Sequence, residues 1–246
     1  MHENANITYQ NQESTKIMET ILSIQPIVSV AASGKTPDEI VMEMATAFAE
    51  QVPELLDEAS GNQEHFVLTE EGNMMSLSIV LLQEMTKFNI LLKKMSSTLH
   101  ELKKAIQGLA VMSQDLDEMY LAFQNNVLPG IWKSVSYSSL KPLSSWFKDM
   151  IARVIFIREW LNNKAPLSYW MSGFYFPQGF LTGVLQTHAR QYKIPIDTLN
   201  FKFKVLALEK DKLSVSPEVF FCLFRMAFIS MDFSLTEEDG TQKKIV

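Results

Sequence analysis

The 246-residue sequence predicts a mainly α protein, a helical bundle followed by an incomplete β segment. Three patterns predict it. Leu81, Phe88, Met95, Leu102, Leu109, Leu116 and Phe123 recur every seven residues, with Met85, Leu92, Leu99, Ile106 and Tyr120 in the second seam position. Between Pro177 and Pro195, Phe180, Leu181, Val184, Leu185 and Ala189 keep helical spacing. Phe201, Phe203 and Val205 then alternate with Lys202 and Lys204, the period of a strand with one buried face. We expect about five to seven helices within residues 1–200, and a β segment over 201–246.

Residues 1–25 predict a loop and a first helix, capped by Asn11 or Ser14 and lined on one side by Ile17, Ile21, Leu22 and Ile24. Pro26 to Pro37 is a connector. The next helix opens with Thr36 as N-cap, Pro37 at the first position and acidic Asp38 and Glu39 in the first turn. Its apolar side is Ile40, Val41, Met44, Ala45 and Phe48, and it weakens at Pro53. Asp57 to Asn73 is a polar loop. The long seven-residue repeat is widened by Leu77, Val80, Leu91 and Met119, which favours a stripe packed inside a bundle over a free coiled coil. Gly108 and polar Ser113 fall near one another, which leaves room for either one long helix or a break there into two antiparallel helices. Pro129-Gly130 ends that region, and Trp132 to Leu143 reads as a turn-rich linker. A helix over Ser144 to Leu161 turns Trp146, Met150, Val154, Ile157 and Trp160 inward.

The most informative stretch follows. Tyr169, Trp170, Phe174, Tyr175 and Phe176 crowd around a Ser172-Gly173 turn, before a helix that begins at Pro177. Gly179 and Gly183 lie four residues apart on one helix face, where glycine costs about 1 kcal/mol relative to alanine. Two such residues imply close backbone packing. Pro195 stops the helix. His188 and Arg190 sit at its C-terminal end, where positive charge is favoured.

Composition narrows the chemistry. An apolar fraction of 47% supports a core and argues against disorder. A net charge of −6 predicts no nucleic-acid footprint. One cysteine, Cys222, excludes an internal disulfide framework and suits a reducing compartment. No secretory signal pattern is evident. The most apolar window, Val219 to Phe233, contains Arg225 and Asp232 and falls short of the ~20 residues of a spanning helix. A soluble intracellular protein without membrane contact is expected.

Ser33-Gly34-Lys35-Thr36 imitates the end of a phosphate-binding loop. The first glycine of that pattern would fall at position 29, which is Ser29, and no buried strand precedes it. Thr36 is better explained as a helix cap. His2, His65, His100 and His188 lack metal-ligand spacing, no Gly-x-Ser-x-Gly elbow occurs, and Cys222 has no motif around it. The acidic pairs Asp38-Glu39 and Asp57-Glu58 and the run Glu237 to Asp239 suit caps and loops. Lys93-Lys94 and Lys103-Lys104 suit a solvated helix face. No catalytic residue, cofactor or metal is predicted.

The string Trp170-Met171-Ser172-Gly173-Phe174-Tyr175-Phe176-Pro177-Gln178-Gly179-Phe180-Leu181-Thr182-Gly183 closely resembles a signature of the C-terminal domain of axonemal dynein heavy chains. His2 to Thr8, Tyr137 to Trp146 and Ile194 to Asp197 resemble the same domain in the same order, so the resemblance runs from residue 1 to about Val205. It implies a non-catalytic part of a minus-end-directed microtubule motor of cilia and flagella, located in the cytoplasm, cytoskeleton and ciliary axoneme. It also implies that the ATP-hydrolysing AAA+ modules and the microtubule-binding stalk lie elsewhere in the parent polypeptide. The partners implied are the AAA+ ring modules, with dynein intermediate and light chains and microtubules reached through the parent complex. Within the signature, Trp170, Ser172, Gly173, Phe174, Phe176, Pro177, Gln178, Gly179, Phe180 and Gly183 are expected to position the helix. From Leu206 the tail is expected to depart from the family, with one or two strands of a β-barrel-like module, as in a fragment or truncated isoform. A free-standing helical adaptor with an exposed apolar groove is the alternative, and a nucleotide enzyme a third class.

Overall fold

The computed structural model describes residues 12, 14–18, 34–69, 72–166, 168–206, 221–223 and 230–236. Among these the protein is mostly helical, with short strands, and forms two compact units: Met1–Leu55 with Ile90–Ile151, and Leu56–Asn89 with Ala152–Val246. Residues 14–18 are helical, with Ile17 exposed. The rest of the expected first helix, with Asn11 and Ile21 to Ile24, and the tail after Thr236 lie outside the described residues.

In the first unit, helix α1 (Pro37–Gln51) starts as its sequence dictates. Thr36 donates its N–H to Glu39 Oε2 at 2.8 Å and Glu39 N–H donates to Thr36 Oγ1 at 3.3 Å, a reciprocal cap. Its buried side is Val41, Ala45 and Phe48. The long helix α2 (Ser76–Ile106) contributes residues 90–106 to this unit. It ends where Gly108 takes φ +73°, a conformation glycine adopts without a Cβ clash. Ser113 caps α3 (Gln114–Gln124) by accepting Leu116 N–H. Leu109 falls in the break and is 74% exposed, so the seven-residue repeat does not continue through it. The Trp132 to Leu143 linker opens inside a helical turn, α4 (Gly130–Lys133), and leads to α5 (Leu143–Asn162).

Aromatic rings tie this unit together. Phe48 stacks on Phe147 at 4.1 Å and meets Phe123 edge-on at 5.6 Å. Phe123 meets Trp132 at 5.6 Å, and Trp132 stacks on Trp146 at 6.0 Å. The buried indole N–H of Trp132 donates to Thr98 Oγ1 at 2.9 Å, so its polar atom is satisfied within the core.

The second unit takes residues 76–89 of α2 and 152–162 of α5. The expected Asp57-to-Asn73 loop contains two 3₁₀ turns, Glu58–Ser60 and Gln63–Phe66, and a bridge between Leu68 and Met74. Short Asx-type caps by Asp57 and Asn62 produce the turns, and the loop is held by Asn62 N–H on Leu161 O at 2.9 Å. Asn89 both donates to and accepts from the Leu56 backbone at 2.8 Å.

Strand β1 (Ser168–Trp170) leads through a 3₁₀ turn, Met171–Gly173, into α6 (Pro177–Tyr192), which stops at left-handed Lys193. Strands β2 (Asn200–Leu206), β3 (Phe221–Leu223) and β4 (Ser230–Thr236) complete a sheet of order β1-β3-β4-β2. β1 pairs with β3 in parallel, and the other pairs are antiparallel. Among the described residues three strands follow Leu199, where one or two are expected. The alternation of Met231, Phe233 and Leu235 with Ser230, Asp232 and Ser234 is the local reason for the last of them.

Candidate functional site

The signature segment folds as a turn anchored on both sides within the second unit. Phe174 stacks on Phe180 at 4.8 Å, Tyr169 lies 4.6 Å from Phe180, and Trp160 meets Tyr169 edge-on at 5.1 Å. Tyr169, Phe174 and Phe180 are buried, each removing a large apolar area from water. Trp170 turns the other way: it meets Phe156 edge-on at 6.2 Å, and the Arg153 guanidinium carbon lies 5.4 Å from its ring centre. Gly173 is required beneath that ring, since a Cβ there would sit 2.8 Å from Trp170 Cε3.

The carboxylate of Glu84 fixes the entry to α6. Its Oε2 accepts the Tyr175 N–H at 2.7 Å and its Oε1 accepts the Phe176 N–H at 3.0 Å. Phe176 is the N-cap residue of α6 and has no side-chain group to bond the helix end, so a carboxylate from α2 serves the entrance instead. Glu84 is only 2% exposed. Burial raises its pKa above the ordinary glutamate value, against the two N–H groups and Arg153, which pull it down. The neighbouring Tyr175 hydroxyl is pushed up as well, by burial first and by the Glu84 charge second, and its ring meets Phe88 edge-on at 4.7 Å.

The predicted positioning residues divide by environment. Gly173, Phe174, Phe180 and Gly183 are buried, while Trp170, Ser172, Pro177 and Gly179 are half-buried. Phe176 and Gln178 are exposed, Phe176 at 58%. Gly183 does permit close helix approach: its Cβ would sit 2.9 Å from Val80 Cγ2 and 3.5 Å from Ser76 O on α2. Gly179 serves a different partner, since its Cβ would strike the Phe176 ring at 2.5 Å. His188 is buried rather than displayed at the helix end, 4.4 Å from the Tyr192 ring.

Sequence reading missed Glu84. The signal was present, because Glu84 lies three residues after Leu81 and four before Phe88, on the apolar stripe of its helix. A glutamate there needs partners of its own. Both of its oxygens are engaged by backbone N–H groups, so the arrangement positions a loop. Among the described residues no cluster of His, Cys, Asp and Glu could hold a metal ion, and no helix is long and apolar enough to cross a membrane. At the phosphate-loop look-alike, Thr36 caps α1 and Lys35 bonds Glu43 at 2.6 Å.

The distinguishing segment of this mainly helical protein is thus an anchored aromatic turn. Residues 11–223 match the family of the C-terminal domain of the dynein heavy chain, and this protein belongs to that family. It is 46% identical to dynein axonemal heavy chain 6 of Homo sapiens, over 87% of this sequence and 5% of that protein. It is 39% identical to dynein axonemal heavy chain 1 of Mus musculus, over 96% of this sequence and 6% of that protein. To the dynein-1-beta heavy chain of the flagellar inner arm I1 complex of Chlamydomonas reinhardtii it is 36% identical, over 88% of this sequence and 5% of that protein. The 246 residues therefore span about 5% of the length of such relatives. The family match extends to residue 223.

Proposed function

We propose that this protein is a non-catalytic C-terminal segment of an axonemal dynein heavy chain, which braces or modulates the AAA+ ring of a minus-end-directed microtubule motor. In this reading it works in the ciliary or flagellar axoneme, within the cytoskeleton. It reaches intermediate chains, light chains and microtubules only through the parent complex, and carries no nucleotide or metal of its own. The observation that supports bracing most directly is the contrast within the signature. Glu84 and the buried rings hold the turn from beneath, while Phe176 rests on Gly179 with most of its surface open. A rigid, exposed aromatic on a fixed backbone is the form of an interface anchor, because little side-chain freedom is lost when a partner covers it.

The test uses ring modules of an axonemal heavy chain, purified without this segment, and the 246-residue protein added in trans. Phe176→Ala should weaken association about tenfold while leaving thermal unfolding within about 0.5 kcal/mol, as for a surface change. Gly179→Ala should act in the same direction by displacing the ring. Unchanged association in both variants would reject bracing through this surface. Calorimetric titration of the protein with ATP should be flat, and saturable heat would favour the nucleotide-enzyme reading instead.

A further inference from the structure

A shallow open groove of about 590 Å³ lies along α1 in the first unit. Met42, Ala47 and Ile106 give it an apolar floor, and Asp38, Glu39, Glu43 and Glu50 contribute carboxylates. Among the described residues no Lys, Arg or His lines it. Asp38 accepts from the Tyr120 hydroxyl and Glu39 from the Thr36 N–H, both neutral donors. Among the described residues one cation stands beside them: Lys35 bonds Glu43 at 2.6 Å and also feels the charge of Glu39, so four carboxylates face one ammonium, a net −3. From Asp38 to Glu50 the helix runs roughly 18 Å, at 1.5 Å per residue. That suits three turns of a second helix better than an enclosed small molecule.

A separate feature continues the apolar surface along the sequence. Three residues beyond Ile106, the loop Leu109-Ala110-Val111-Met112 carries four consecutive apolar side chains, with Leu109 at 74% and Val111 at 91% exposed. Gly108 at φ +73° and the Ser113 cap hold the loop between them. An exposed run of this kind is unfavourable in water unless something covers it.

We propose that the α1 groove and the Leu109–Met112 loop together dock an amphipathic helix of a partner protein, with Lys or Arg flanking its apolar stripe. Charge decides the class of partner, since an acidic helix would meet the same carboxylates with repulsion. The site is independent of Phe176 and of ring bracing.

The probe is an 18-residue helical peptide of leucine and lysine, labelled and titrated with the 246-residue protein by fluorescence anisotropy, with a leucine–glutamate peptide as its counterpart. The lysine peptide should bind and the glutamate peptide should not. Glu43→Lys with Glu50→Lys should weaken binding at least tenfold, and Val111→Ser about threefold. Glu64→Lys with Glu159→Lys, an equal charge change on the other unit, should leave it within twofold. Far-UV circular dichroism confirms that each variant keeps its helices. Equal binding of both peptides, or equal effects of the groove and control reversals, would overturn the proposal. A protein that sediments as a dimer until Glu43 and Glu50 are reversed would assign the groove to a second copy and overturn it too.

Discussion

Removing the Glu84 side chain strips the α6 entrance of its capping carboxylate. Two backbone bonds, at 2.7 and 3.0 Å, are lost together in Glu84→Ala. Bonds to a charged acceptor contribute about 1.5–3 kcal/mol each, and the relief of a buried charge offsets part of that, leaving a cost of about 3 kcal/mol. For a protein of this size the thermal midpoint should fall by roughly 6–12 °C. Hydrogen exchange at the Tyr175 and Phe176 amides should accelerate more than at the Trp132 core of the other unit. Glu84→Gln keeps one acceptor oxygen and should cost about half as much. pH supplies an independent check. The folded-state pKa of Glu84 is raised above its ordinary 4.5, so folding favours the protonated form. Its stabilising contribution is complete below that ordinary value and is lost as pH rises through the raised one. The stability gap between the wild-type protein and Glu84→Gln should therefore be wider at pH 4 than at pH 7.5. A gap that widened with pH would show the two N–H bonds outweighing burial, whereas two amides whose exchange did not change would refute the anchoring role.

Gly183→Leu should destabilise by about 3 kcal/mol or more through overpacking against Val80, and adding Val80→Ala should restore part of the thermal midpoint. Thr98→Val leaves the buried Trp132 indole N–H without its acceptor and should cost about 1–3 kcal/mol in urea unfolding, whereas Thr98→Ser should cost less. Thr36→Ala breaks the reciprocal cap of α1 and should cost about 1 kcal/mol, and a null effect would count against the cap as the role of that residue.

Local signals were legible wherever one residue type has one physical use. Thr36-Pro37-Asp38-Glu39 announced a helix start and Pro177 announced another, while Gly108 with Ser113 only left open the break that separates α2 from α3. The inward side of α5 was legible too, since Trp146, Met150, Val154, Ile157 and Trp160 are all buried. The seven-residue repeat was misleading at Leu109, because periodicity continues through a sequence without regard to where the backbone stops being helical. The pairing of β1 with β3 was illegible for another reason. Register between Ser168–Trp170 and Phe221–Leu223 is a contact across more than fifty residues, and no local pattern encodes it.

The two glycines of the signature helix show why a shared motif does not imply a shared role. Both lie on one face at helical spacing, and both lack room for a Cβ. At Gly183 the obstacle is a side group of α2, with the backbone of Ser76 close behind, so the missing Cβ sets how near two helices come. At Gly179 the obstacle is the ring of Phe176, three residues earlier, so the missing Cβ sets where one exposed ring lies. The first bears on helix packing and the second on the position of a ring. Alanine at the two positions separates them: Gly183→Ala should lower the thermal midpoint, because Val80 must give way inside packed surroundings. Gly179→Ala should leave the midpoint nearly unchanged, because the displaced ring moves into solvent. If both variants melted alike, the second glycine would be part of the core, and Phe176 would lose its standing as the presented residue.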